Sequence, residues 1–145
     1  MPDELAQQLQ PLKDLLDKFN INRLELEGYE ADDLIGTVAR LGEENDFKVY
    51  IVTGDKDAIQ LASHKTTTLI TKKGVGEVEE YDYDSVLERY EMTPTQFIDL
   101  KGLMGDKSDN IPGVPGVGEK TGIKLLKQYS TIENLIEHTD ELKGS

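Results

Sequence analysis

Apolar side chains recur at helical spacing at the start of the chain, where Leu5, Leu9, Leu12, Leu15, Leu16 and Phe19 mark one face of an amphipathic helix over residues 3–19. Asn20 is placed to stop it. Residues 21–26 (INRLEL) read as a short strand, and residues 30–44 as a second helix, with Ala31, Leu34, Ile35, Val38 and Leu41 inward and Asp32 and Asp33 in its first turn. The run 47–53 (FKVYIVT) has the mostly apolar character of a buried strand and ends at Gly54-Asp55. A short helix over 58–62, a strand over 66–71, a turn at 73–76 and a hairpin partner at 78–81 follow. Strands alternating with helices predict an α/β domain with a mainly parallel sheet.

Beyond Tyr90 the pattern is purely helical. Thr93-Pro94-Thr95-Gln96 places an N-cap threonine, a first-position proline and a third-position glutamine at the start of a helix that runs to Met104. Residues 120–129 form a second helix, and Ser130-Thr131-Ile132-Glu133 reads as a capping box opening a third. The boundary is expected near residue 92, giving an α/β part over 1–92 and a helical part over 93–145.

Composition narrows the chemistry. The chain of 145 residues carries 29 acidic and 16 basic side chains, a net charge of −13 that globally repels phosphate. With no cysteine, disulfides, thiolate metal sites and cysteine nucleophiles are excluded. The first twenty residues are too charged for a signal peptide or a membrane span, so a cytoplasmic protein without membrane contact is expected.

Three acidic groups stand out by position. Glu30, Asp32 and Asp33 lie at a strand-to-helix junction, Asp55 and Asp57 just beyond a strand's carboxyl end, and Asp106 and Asp109 follow Gly105. In a parallel α/β sheet ligands bind beyond the carboxyl ends of the strands, so the first two groups are expected to converge. Seven carboxylates in one cleft repel one another unless cations neutralise them. Hard oxygen donors favour magnesium or manganese over zinc, and two such ions ~3.5–4 Å apart can activate water and stabilise a phosphoryl transition state. The bland alternative is a set of solvated or helix-capping acids, since Asp32 and Asp33 also complement the helix dipole. The loop 106–110 lacks the ligand pattern of a calcium-binding EF-hand.

Residues 111–118 read Ile-Pro-Gly-Val-Pro-Gly-Val-Gly and run straight into a helix carrying Lys120, Thr121, Lys124 and Lys127. Gly113, Gly116 and Gly118 let the backbone turn and approach a ligand closely, and the helix start offers unpaired amides, together a phosphate cradle. From 101 to 127 five lysines face Asp106, Asp109 and Glu119, a local charge of +2 inside an acidic chain. A P-loop is excluded by spacing. An interhelix turn with no ligand is the alternative.

Taken together, the motifs 29–33 (YEADD), 53–57 (TGDKD) and 100–118 (LKGLMGDKSDNIPGVPGVG) closely resemble the 5′-nuclease family of 5′-3′ exonucleases and flap endonucleases, in the form of that domain carried by bacterial DNA polymerase I. The resemblance covers nearly the whole chain. It implies a PIN-like α/β domain followed by a helix-hairpin-helix (three-helix) module, acting on DNA 5′ flaps or 5′ ends. Glu30, Asp32 and Asp33 match the family's first metal site, and Asp55, Asp57, Asp106 and Asp109 its second, with two or more magnesium or manganese ions. The hairpin residues Gly113, Val114, Gly116, Val117 and Gly118, with Lys120, Thr121, Lys124 and Lys127, match its contacts to duplex backbone, where a potassium ion is often held. The family's first strand and helical arch have no counterpart before Pro2. The resemblance therefore implies the carboxyl-terminal part of a nuclease domain, weak or inactive alone, with an amino-terminal segment and a polymerase domain as expected partners.

Two other classes stay open on the residues alone. A non-catalytic duplex-binding module would use the hairpin and no metal. A phosphatase of the haloacid dehalogenase type would need an Asp-x-Asp nucleophile on an early strand, which the chain lacks before Glu30. His64 and His138 are expected at the surface, and Tyr81, Tyr83, Tyr90 and Tyr129 in core packing rather than base stacking.

Overall fold

The computed structural model describes residues 2–72 and 76–142, and the chain divides into two compact units, Met1–Ile35 and Gly36–Ser145. Each is built on its own local logic.

In the first unit, α1 (Asp3–Lys18) ends where the sequence predicts, because Asn20 takes a positive φ of 56°. Asn20 N–H then reaches Asp17 O and Ile21 N–H reaches Leu16 O, both at 3.0 Å, which closes the helix with a Schellman motif. Residues 21–26 are not a strand. Among the described residues of this unit no strand lies beside them, and their charged side chains fold back on α1 instead. Arg23 forks onto both Asp17 oxygens at 2.9 Å and reaches Glu25 at 2.6 Å, and Lys13 meets Glu25 at 2.6 Å.

Helix α2 (Ala31–Glu44) runs on into the second unit. Its buried side chain is Ala39, with Leu34 and Ile35 half-buried; Ala31, Val38 and Leu41, expected inward, are exposed. The second unit holds a three-stranded sheet, β1 (Val49–Thr53), β2 (Thr66–Thr71) and β3 (Val78–Tyr81) in that order. β1 and β2 are parallel, joined by a 3-10 helix over Lys56–Leu61, and β2 and β3 are antiparallel. The expected turn between β2 and β3 lies, at 73–75, outside the described residues. β1 is an edge strand buried on one face only: Ile51 points inward while Tyr50 and Val52 are more than half exposed, against the expectation of a fully buried run.

Ile59, Ala62, Ile70, Tyr81 and Val86 form the core under the sheet. The last of these comes from α3 (Tyr83–Tyr90), a helix that the hydrophobic pattern did not predict. Asp82 and Ser85 exchange capping bonds of 2.8 Å at its start, with serine standing where glutamate usually completes the box.

A second core joins α4 (Gln96–Met104), α5 (Glu119–Tyr129) and α6 (Ile132–Glu137) through Met92, Leu100, Leu103, Leu126, Tyr129 and Leu135. Tyr90 and Phe97, edge-to-face at 4.8 Å, pack against both cores and tie the sheet to the helices. Gln96 accepts the Thr93 N–H at 2.8 Å, half of the expected capping box, although the regular helix starts only at Gln96. The cap of α6 is Thr131, not Ser130: Thr131 accepts the Asn134 N–H, while Ser130, at φ 68°, terminates α5. Tyr81 and Tyr129 are buried, His64 is exposed and His138 is half-buried.

One polar cluster ties α2 to the sheet. Glu43 accepts hydrogen bonds from the Ser63 and Thr66 hydroxyls, and Thr66 is fully buried. These two donors, with Lys65 nearby, hold the Glu43 carboxyl below its usual range. A depressed folded-state pKa stabilises above the unfolded value and loses that stabilisation as pH falls through the folded value. Thermal melts from pH 7 to pH 3 are therefore expected to show Glu43→Gln less stable by on the order of 1 kcal/mol at neutral pH. The gap to the parent should close in acid.

Candidate active site and nucleic-acid interface

In the second unit, Asp55 and Asp57 follow directly on the carboxyl end of β1. Asp55 follows Thr53 and Gly54, its N–H donating to Thr53 Oγ1 at 3.0 Å, and its side chain accepts the Asp57 N–H at 2.9 Å to cap the 3-10 helix. That turn presents Asp57 toward α4. Asp106 sits on β4 (Gly105–Asp106), which pairs with β5 (Ile111–Pro112) to make the narrow base of the loop that carries Asp109.

Lys101 of α4 joins the two sides. Its Nζ lies 3.0 Å from Asp57 Oδ1 and 2.5 Å from Asp106 Oδ2. Asp106 also accepts the Ser108 hydroxyl and the Ser108 N–H, the latter at 2.8 Å. Lys101 first and Ser108 second hold the Asp106 carboxyl far below the ordinary carboxylate range, and Asp106 with Asp57 raises the Lys101 ammonium above its own. Asp57, Asp106, Asp109, Lys101 and Gln60 line one cavity of about 230 Å³. A neighbouring cavity of about 210 Å³ runs from Asp57 and Lys101 to Glu119 at the start of α5.

In the first unit, Glu30, Asp32 and Asp33 are all exposed. Asp33 accepts the Glu30 N–H at 3.0 Å, so one of these acids also caps α2. Among the described residues no three His, Cys, Asp or Glu side chains stand close enough together to hold a metal ion. The acidic side chains that line the cavity offer hard carboxylate oxygens, and a cationic ammonium already balances two of these groups.

The glycines of the hairpin have different tasks. Val114-Pro115-Gly116-Val117 is a type II turn, with Val117 N–H on Val114 O at 3.0 Å and Gly116 at φ 82°. Gly113 serves packing rather than ligand approach, since an added Cβ would lie 2.1 Å from the Met104 carbonyl. Gly118 caps α5 in an extended conformation with open space around it, and no side chain fills the cap. Val114, Lys120, Thr121 and Lys124 are exposed, whereas Val117 packs on the helical core. Lys127 is engaged by Glu91; among the described residues Lys120 and Lys124 form no ion pair.

Lys101 is the residue that reasoning from the sequence undervalued, counted only as local positive charge. Its signal was spacing: at i and i+5 from Asp106 across a helix end, the lysine stem can fold back onto the carboxylate.

Comparison with known proteins follows the same division. Residues 1–91 match the family model for the 5′-3′ exonuclease N-terminal resolvase-like domain, and residues 92–145 that for the 5′-3′ exonuclease C-terminal SAM fold. DNA polymerase I of Bacillus subtilis (strain 168) is 57% identical over 99% of this chain, which spans 16% of that relative's length. The crystal structure of T5 D15 protein with metal ions aligns with a TM-score of 0.80 at 27% identity, over all of this chain and 55% of that one. The bacteriophage T5 D15 flap endonuclease in a pseudo-enzyme-product complex with DNA and metal ions aligns with a TM-score of 0.77 at 25% identity, over all of this chain and 54% of that one. A sheet whose first strand is followed by Asp55 and Asp57, a helical module with a glycine hairpin between α4 and α5, and two adjoining family matches that together span the sequence place this chain in the 5′-3′ exonuclease family.

Proposed function

We propose that the chain carries most of the metal ligands and the backbone-binding module of a divalent-metal-dependent 5′-3′ exonuclease and 5′-flap endonuclease that cuts DNA phosphodiesters by a two-metal mechanism. The observation that carries this reading is the cavity lined by Asp57 together with Asp106 and Asp109, acids from two segments far apart in sequence. The T5 relatives crystallised with metal ions and with DNA support it. Asp55, Asp57, Asp106 and Asp109 would hold one magnesium or manganese ion, partly through water, and Glu30, Asp32 and Asp33 another. When bound, such ions supply Lewis acidity to a phosphodiester.

The remaining work belongs to side chains and amides. The carboxylates bind and orient. The open amino-terminal amides of α5, with Gly118, Lys120, Thr121 and Lys124, would grip a phosphate, and Lys127 could join only by releasing Glu91. Gly113, Val114, Gly116 and Val117 would shape the turn against the duplex. Among the described residues the Pro115 and Gly116 carbonyls accept no hydrogen bond, which leaves hard oxygen donors for a potassium ion. In this reading residues 1–92 are the nuclease part and 93–145 the backbone-binding part. Among the described residues no helix is long and apolar enough to cross a membrane, and a cytoplasmic location, with an amino-terminal nuclease segment and a polymerase domain as partners, belongs to the same proposal.

The test is cleavage of a 5′-flap duplex by the chain joined to an amino-terminal nuclease segment from the family, with magnesium and with chelator. Metal-dependent 5′ products support the reading. Salt-dependent duplex binding with no cleavage under either condition would leave a non-catalytic binding module. Phosphate contacts carry a further signature, because each adds about 0.9 to the slope of log affinity against log salt. Lys120→Ala with Lys124→Ala is expected to flatten that slope by roughly 2 in fluorescence-anisotropy titrations of duplex DNA.

A further inference from the structure

We infer that Lys101 is a built-in counter-cation, a positioning residue that holds Asp57 and Asp106 together in the cation-free protein and that an incoming divalent ion must displace. The inference rests on the metal reading given above and assigns this site its means of regulating cation occupancy. Lys101 lies in the middle of α4, between the buried anchors Leu100 and Leu103, so the base of its stem is fixed. Its ammonium is within 3.0 Å of oxygens from two separate elements, the 3-10 helix and β4. Without it, two carboxylates facing one cavity would repel each other and drive the cleft open.

A divalent ion offers these oxygens twice the charge, but it meets a like-charged ammonium already in contact with them. Binding is therefore an exchange. The ammonium must swing away from at least one of Asp57 and Asp106, and the affinity of the site is set below what its carboxylates alone would give. Lys101 touches neither substrate nor reacting atoms in this account.

The experiment is a magnesium titration of the chain and of Lys101→Met and Lys101→Arg, followed by the backbone amide resonances of Asp57 and Asp106 and by thermal melts. Lys101→Met is expected to melt lower than the parent without magnesium, to recover when magnesium is added, and to half-saturate at roughly tenfold lower magnesium. Lys101→Arg, which keeps the charge, should keep the parental midpoint, whereas a purely structural role for the lysine stem would leave Lys101→Met unchanged as well. In the parent, the Lys101 side-chain resonances should shift with the same midpoint as the two amides, a readout that needs no variant to fold. Parental binding with an unchanged midpoint in Lys101→Met, or with silent Lys101 resonances, overturns the exchange but spares the metal reading. No saturable response at Asp57 and Asp106 in the parent overturns both.

Discussion

Gly113→Ala is expected to cost about 3 kcal/mol or more and to lower the melting temperature by roughly 10 °C, the largest stability effect of any single methyl group in the hairpin. The new Cβ would stand 2.1 Å from both the carbon and the oxygen of the Met104 carbonyl and 2.5 Å from Gly105 N. These are backbone atoms held from both sides: β4 pairs with β5, and Val114 N–H bonds Leu103 O at 2.8 Å. No side-chain rotation can relieve the clash. Gly105 is equally constrained, with φ at 72° and Gly113 N only 2.2 Å from its own added Cβ. Gly118 is the control, since it has φ of −105° and nothing within 4 Å, so Gly118→Ala should change stability by about 0.5 kcal/mol or less. Differential scanning calorimetry of the two variants checks the contrast; equal melting temperatures would refute the packing role assigned to Gly113.

Asp109→Asn is expected to show the opposite profile, a loss of at least about 100-fold in flap-cleavage kcat/KM of the chain joined to an amino-terminal nuclease segment, with almost no change in melting temperature. Asp109 is exposed, and among the described residues its side chain makes no hydrogen bond or ion pair, so nothing in the fold depends on its charge. Surface substitutions of this kind fall within about 0.5 kcal/mol. Its place on the wall of the cavity with Asp57 and Asp106 gives it a use only when something binds there. Replacing partners behind a metal ligand already costs 10–100-fold, roughly, and a ligand itself should cost more. Asp106 would be a poorer probe, because it also holds Lys101 and the Ser108 turn.

The parts of this structure legible in the sequence are those whose cause is local. The Asn20 stop works through one residue's tolerance of positive φ and the β2–β3 pairing through nearness in sequence, while the short helix expected over 58–62 is a 3-10 helix over Lys56–Leu61 that starts earlier because Asp55 caps it. Residues 21–26 misled because alternation specifies a strand only if a neighbour is there to pair with, and the ion pairs of Arg23 and Lys13 provide another use for the same side chains. Helix α3 escaped because eight residues offer two turns of periodicity and its capping serine imitates no standard signal. The acidic motifs could be read as types and spacings. The ion-paired state of Asp57 and Asp106 could not, because it depends on where α4 lies beside the 3-10 helix, a tertiary fact.

Paramagnetic broadening by manganese, read residue by residue in a nitrogen-15 correlation spectrum, tests most directly whether the acidic groups of the second unit serve one centre. The account predicts that the amides of Asp55, Asp57, Asp106 and Asp109 lose intensity together, at a common low manganese concentration, and recover with chelator. Broadening spread evenly over the acidic surface, or one midpoint for Asp57 and another for Asp106 and Asp109, would contradict it.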